Sequence, residues 1–304
     1  MMEQVERRVL LSAVDVTTFH NDNTRDGENL HETVLTPSNV NDSDFGKVAT
    51  FSVDGQVYAQ PLYMSHVMFP GHGGVMHNVV YVATESDDVY AFDASGGGLL
   101  WHDRFTDPAA GLTTVPAVDT GITRDLSPQF GITSTPVIDT ATNTMYVVAN
   151  FKEVDSKGTF YFYRLYALNI VTGAEMDGGP IQIKATYPGT GDGSVDGMVS
   201  LSGLRNLQRV ALTLTDNTVY IGFSSHGDYA TYHGWVLGYN ASTLKQTFVW
   251  VDTPDGRRGG IWMDGGGIAV DAEGNIYFST GDGVFDANTG GDDYGDSLLK
   301  FAPG

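Results

Sequence analysis

One phrase, written several times over, constrains this chain more than any other feature. VYAFDASGGGLLW (89–101) reads as a strand, a Gly-rich reversal and a returning strand that ends on Trp101. The same order of elements recurs in four segments. First strands are QPLYM (60–64), TPVIDT (135–140), RVALTL (209–214) and GGIAVDA (266–272). Tyrosine-bearing second strands follow as NVVYVAT (78–84), TMYVVAN (144–150), TVYIGFS (218–224) and NIYFSTG (275–281). Third strands are VYAFDA (89–94), LYALNI (165–170), VLGYNA (236–241) and LLKFAP (298–303), and fourth strands are LLWHDRF (99–105), IQIKAT (181–186) and FVWVD (248–252).

A four-stranded antiparallel unit repeated in fixed order predicts an all-β fold, a β-propeller whose blades stand around a shared axis. The second-strand tyrosines Tyr81, Tyr146, Tyr220 and Tyr277 lie 57 to 74 residues apart. The commonest blades take about 40 to 50 residues, so each repeat carries inserted loops, and function would sit on those. Within the quoted phrase, Asp93 is placed to accept hydrogen bonds from the turn's amides while the glycines take positive φ, and Trp101 is expected to return over the blade's outer face. LYALNIVTGAEM repeats the device with Asn169 and Gly173, and LGYNASTLKQTFVW repeats it with Asn240 and Trp250.

Composition agrees with many short strands joined by turns: 38 glycines and 15 tyrosines among 304 residues, with 41% apolar side chains to fill a core. A formal charge of −21 repels phosphate backbones and anionic membranes, so nucleic acid is not an expected partner. The opposite field favours cations, with Ca²⁺ the candidate for acidic turns. There is no cysteine, which removes disulfides, thiolate chemistry and Cys-based metal sites. No apolar run reaches the ~18 residues that a membrane-spanning helix needs.

The turn pattern A-x-D-x-x-T-G-x-x-x-W resembles the quinoprotein-type, or pyrroloquinoline quinone (PQQ), propeller repeat. Ala91, Asp93, Gly96 or Gly97 and Trp101 carry it in the first copy, and Ala167, Asn169, Thr172 and Gly173 in the second. Beyond the repeat, HNDNTRDGENLHETVLTPSNVN, FGKVATFSVDGQVYAQPLYM, GITSTPVID, FSSHGDYATYHGWVLGY, GGIWMDGGGIAVD and TGDGVFDAN together resemble a family of bacterial quinoprotein-like propellers, over about residues 17–302. The resemblance implies a fold more firmly than a reaction. Quinoprotein dehydrogenases of this grammar use an adjacent Cys pair, a Trp platform and a Ca²⁺ with an Asp base. The Cys pair is impossible here, and the other parts do not transfer position by position, so PQQ is not an expected cofactor.

Three regions follow. Residues 1–16 include Val5-Glu6-Arg7-Arg8-Val9-Leu10-Leu11-Ser12, which resembles the LEPR-XLL segment of exported bacterial surface proteins and implies an extracellular or cell-surface location. Residues 17–44 form a polar N-terminal clamp, and 45–304 the propeller. FGKVATFSV (45–53) resembles a fourth strand without its own blade, and the chain reaches Gly304 just past the third strand of its fourth unit. Either four large blades close on themselves, or they belong to a larger ring with further blades beyond residue 304.

Three loops could carry chemistry. His226, Asp228 and His233 share one insertion and are the candidate catalytic or metal-binding set. Asp282, Asp286, Asn288, Asp292 and Asp293 offer alternating oxygens to Ca²⁺, although the closing Glu of a calcium loop is missing. Trp262 and Asp264 sit between glycines before a first strand, where an indole could stack on a sugar or other planar ligand. No nucleophile elbow and no H-E-x-x-H motif occurs. The expected function is an exported binding or scaffold module for a carbohydrate, peptide or protein. The alternative is a PQQ/Ca²⁺-dependent oxidoreductase or a metal-assisted polysaccharide hydrolase or lyase.

Overall fold

Residues 14–43, 45–176, 178–263 and 266–302 are described by a computed structural model. The LEPR-XLL-like segment and Asp264 lie outside the described residues. Among the described residues there are five antiparallel sheets: a two-stranded ribbon, Thr186–Pro188 with Met198–Ser200, and four larger sheets that follow in chain order. The first contains β1 (Leu62–Phe69), β2 (Val75–Ala83), β3 (Asp88–Asp93) and β4 (Gly98–Arg104). The second contains β5 (Val137–Asp139), β6 (Thr144–Asp155), β7 (Gly158–Asn169) and β8 (Ile181–Ile183). The third contains β9 (Thr213–Thr215), β10 (Thr218–Ser225), β11 (Trp235–Asn240) and β12 (Gln246–Val251). The fourth contains β13 (Ala269–Val270), β14 (Ile276–Ser279) and β15 (Leu298–Phe301). These are propeller blades, each ordered first strand to last.

Strand alternation explains why the blades stack. Successive side chains point to opposite faces, so a strand that is apolar at every position buries both. In β6, Met145, Val147, Ala149 and Phe151 join blade 1 in one core cluster, while Tyr146 and Val148 join blade 3 in another. In β11, Trp235 and Leu237 face blade 2, and Val236 faces blade 4. Each pair of consecutive blades thus shares one seam, and among the described residues no core cluster joins blade 4 to blade 1. The four blades form an open arc. The free face of blade 1 carries a stacked aromatic row, Phe51 on Phe92 at 4.6 Å, Phe92 on Tyr90, and Tyr90 on His102 at 4.3 Å.

The repeated residues rivet one blade to the next. Tyr81 in β2 donates to the carbonyl of Ile170, just past the third strand of blade 2, at 3.1 Å. Tyr146 in β6 donates to Ala241, the matching place in blade 3, at 2.9 Å. Trp101 does not close over its own blade's outer face as expected. Its indole N–H also donates to Ile170 O, at 2.9 Å, and a Cβ on Gly173 would lie 2.8 Å from its ring. The glycine of the second turn is therefore the seat of the preceding blade's tryptophan. The expected turn chemistry is present: Asp93 Oδ1 accepts from Ser95 N, and Asn169 Oδ1 accepts from the amides of Val171 and Thr172.

Two expectations need correction. FGKVATFSV (45–53) contains no strand and instead lays Phe51 against blade 1. A strand needs a partner edge, and no other strand pairs with it here. Nor does every repeat carry an inserted loop between its second and third strands: in blade 2 the stretch between TMYVVAN and LYALNI extends both strands into one long hairpin from Thr144 to Asn169.

At the hub, residues 16–25 touch the first strand of every blade. Val16 pairs with Tyr63, and Thr17 O accepts from Ile138 N. Asn23 bonds both Leu214 and Val270. Arg25 donates to Thr18 Oγ1 (2.7 Å), Thr213 Oγ1 (2.7 Å) and Ile268 O (3.2 Å). Burial lowers its pKa to about 10, so it remains charged at neutral pH.

If the seams hold the arc together, Trp101→Ala will cost ~3–5 kcal/mol in urea unfolding, in the range of a buried aromatic deletion. Tyr146→Phe, which removes one buried hydrogen bond, will cost ~1 kcal/mol. A loss below ~1 kcal/mol for Trp101→Ala would contradict the docking role.

Candidate functional site

Antiparallel strands alternate in direction, so the links from second to third strand and from one blade to the next emerge at the same end of the arc. That end carries residues 84–87, 105–136, 184–212, 226–234, 252–268 and 280–297, which include all the loops singled out from the sequence.

The structure does not bring the imidazoles and Asp228 together. His233 is buried and uses both ring nitrogens, Nδ1 with Thr253 Oγ1 at 3.0 Å and Nε2 with Asp192 O at 2.8 Å. Asp228 accepts from the Tyr232 hydroxyl. His226 stands edge-on to Phe130 at 4.3 Å, and neither ring nitrogen has a hydrogen-bond partner. Burial, with Arg205 adding to it, lowers its pKa to about 4, so it is neutral.

The acidic loop is organised by its own backbone. Asp286 Oδ1 accepts from Asp293 N at 3.0 Å, and buried Asp293 accepts from the amides of Asp255 and Gly256, both at 3.0 Å. Asp282 is exposed and faces Arg258 at 3.7 Å, while Asn288 and Asp292 are exposed. Trp262 is clasped between two backbones, since a Cβ on Gly260 or Gly281 would lie 2.5 Å or 2.1 Å from its ring. Its N–H donates to Gly259 O, and Tyr232 meets it edge-on. Among the described residues no three His, Cys, Asp or Glu side chains are grouped to hold a metal ion.

Sequence reasoning missed the buried acids of this end. Asp252 is fully buried and accepts from Gly234 N (2.7 Å), Gly260 N (2.5 Å) and Thr253 Oγ1 (3.2 Å). Burial nevertheless raises its pKa to about 7. Glu85 and Asp87 occupy the tight turn between β2 and β3. Glu85 Oε2 accepts from Gly131 N (2.6 Å) and Thr133 Oγ1 (3.1 Å), and burial raises its pKa to about 7. Asp87, held in the left-handed region at φ 58°, has neither carboxylate oxygen bonded, and burial, with the charges of Glu85 and Asp88 beside it, raises its pKa well above the usual carboxylate range. The one available signal was the doubled acid of T-E-S-D-D, which as a turn reads equally well as solvated.

An accessible groove lies beside the seam between blades 2 and 3, with a cavity volume of about 440 Å³. Half-buried Tyr161 forms part of its wall, and exposed Gln182, Lys184, Thr186, Ser200 and Gln246 line it. The Tyr161 hydroxyl is anchored by donation to Asp119 Oδ2 at 2.9 Å, and Gln246 spans the blades by donating to Lys184 O at 3.0 Å.

The chain is similar in structure to quinohemoprotein alcohol dehydrogenase ADHIIG from Pseudomonas putida HK5, with a TM-score of 0.54 and 17% identity. That match covers 89% of this chain and 35% of the dehydrogenase. The quinohemoprotein alcohol dehydrogenase from Comamonas testosteroni matches with a TM-score of 0.50 and 17% identity, over 89% of this chain and 36% of that one. The chain thus spans about a third of their length, and at this identity the likeness is one of fold: a quinoprotein-like propeller. No protein-family model and no curated protein matches the sequence.

The residues present do not fit a quinone of that kind. There is no cysteine, Trp101 and Trp235 are buried, Trp250 packs against Phe278 and Phe301, and Trp262 is clasped as described. A planar cofactor has no open indole face to stack on among these.

The raised carboxyl pKa values set a pH dependence in cation-free buffer. Unfolded Glu85 ionises at 4.5, whereas the folded residue holds its proton to about 7. Between those values the folded state binds more protons, so stability falls as pH rises. Glu85→Gln removes that contribution. Its melting temperature will decline less than that of the unmodified chain between about pH 4.5 and pH 7, while parallel curves would rule out the assignment.

Proposed function

We propose that the chain is an extracellular binding module for a carbohydrate, which it takes in the groove between blades 2 and 3. The observation that carries this reading is the lining of the groove: Tyr161, whose hydroxyl is anchored on Asp119, beside exposed amide, hydroxyl and ammonium groups, in a volume of about 440 Å³. Small-ligand sites usually occupy about 300–1,000 Å³. Sugars present an apolar C–H face to an aromatic ring and hydroxyls to amides. Gln182 offers a donor and an acceptor, which suits a hydroxyl that needs both, while Gln246, whose amide N–H groups are committed to Lys184 O and the Tyr239 hydroxyl, offers its acceptor oxygen.

Charge supports a neutral ligand. The net charge of −21 opposes polyanionic glycans, while Lys184 is the one cation among the described residues that line the groove. A metal-assisted hydrolase receives no support from His226, Asp228 and His233, whose partners differ. Scaffolding within a larger surface protein is compatible with the same groove.

Isothermal titration against neutral oligosaccharides chosen from a glycan array tests the reading. Tyr161→Ala and Gln182→Ala should each weaken binding about tenfold or more, equivalent to ~1.4 kcal/mol. Absence of binding to any neutral glycan, or full affinity in both variants, would refute it.

A further inference from the structure

A second arrangement, independent of the groove, lies beneath the loop-bearing end where blade 1 meets blade 2. Four oxygens there have no hydrogen-bond partner and no solvent contact: Glu85 Oε1, Asp87 Oδ1 and Oδ2, and Asn150 Oδ1. Their residues are only 0–1% exposed. All three residues touch Gly131. Its N–H bonds Glu85 Oε2, its carbonyl accepts from Asn150 N at 3.3 Å, and a Cβ added to it would lie 2.7 Å from Asp87 Oδ1. Only glycine leaves this space open.

The charges of Glu85 and Asp88 both act against ionisation of Asp87, and a buried polar group left unpaired is costly. Nearby cations do not resolve the conflict. Arg104 and His102 are bonded to Asp88 rather than Asp87, and the charge of Arg209 favours the ionised form of Glu85. Tyr163 donates to Asn206 O and accepts from Asn150 Nδ2, so its hydroxyl proton is directed away. The donor set is oxygen only, two carboxylates and an amide, which selects a hard cation over zinc or copper. Mg²⁺ dehydrates reluctantly and usually keeps several waters, whereas Ca²⁺ accepts carboxylate and amide oxygens directly.

We propose that Glu85, Asp87 and Asn150 bind one Ca²⁺ at the junction of blades 1 and 2, where the ion ties the β2–β3 turn to the segment entering the second blade. The site is distinct from the acidic loop around Asp286, whose inward carboxylates are satisfied by backbone amides.

The full chain, stripped with chelator, is titrated with CaCl₂ while melting temperature and heat are recorded. The expected result is one Ca²⁺ per chain, a rise of several degrees in melting temperature, and a smaller response to MgCl₂. Asp87→Asn and, as a second variant that keeps the Gly131 hydrogen bond, Glu85→Gln should each weaken Ca²⁺ binding at least tenfold. Asp282→Asn with Asp292→Asn should leave it intact. Absence of a Ca²⁺-dependent shift in the unmodified chain would overturn the proposal, leaving protonated carboxyls and ordered water in the space. A full shift retained in both Asp87→Asn and Glu85→Gln would overturn it as well.

Discussion

The seam between neighbouring blades is the constraint from which the rest of the structure follows. A blade of this composition is apolar on both faces, and a sheet with two apolar faces cannot stand alone in water. Blade 2 is the clearest case, because its second and third strands contribute side chains to one core cluster on each face. Directional bonds then fix the geometry that burial alone would leave loose. Tyr81 and Trp101 converge on the single carbonyl of Ile170, and Tyr146 repeats the link one blade later. The hydrophobic contacts supply most of the stability, and the hydroxyl and indole donors set the rotation of one blade against the next.

Because the blades are held by their faces, their ends are free to carry long connections. Those connections bury polar groups that a thinner loop would leave in water. Asp252 staples the segments at Gly234 and Gly260 to its own, and its carboxylate explains the glycines at 234 and 259: a Cβ on Gly234 or Gly259 would lie 2.3 Å or 2.1 Å from it. At the opposite, axial side, Arg25 gathers hydroxyl and carbonyl oxygens from the segment that carries it and from blades 3 and 4. Binding at the groove and cation binding below the surface would both exploit a frame that the seams make rigid.

The blades were legible in the sequence because period-two burial on both faces leaves an unbroken run of Val, Ile, Leu, Tyr and Phe, as in TMYVVANF and VYAFD. Asx-turn residues such as Asp93 and Asn169 marked the reversals. The destination of Trp101 was not legible, since local order places it after a turn but only the next blade supplies Gly173 as its seat. FGKVATFSV shows the converse limit: strand-like composition without a partner edge gave no strand. The site was less legible than the fold. His226, Asp228 and His233 are close in sequence yet turn toward different partners, while Glu85 and Asn150 are distant in sequence and meet at Gly131. Whether an acid in a turn is solvated or buried depends on which loop of the neighbouring blade covers it, and no local pattern encodes that.

Hydrogen–deuterium exchange, resolved by blade, tests the open arc most directly. The slowest exchange is expected in β6 and β10, whose blades are covered by neighbours on both faces, and measurably faster exchange in β2 and β14, each of which has one face without a neighbouring blade. Equal protection of the second strands of all four blades, as a closed ring would give, would contradict the open arc.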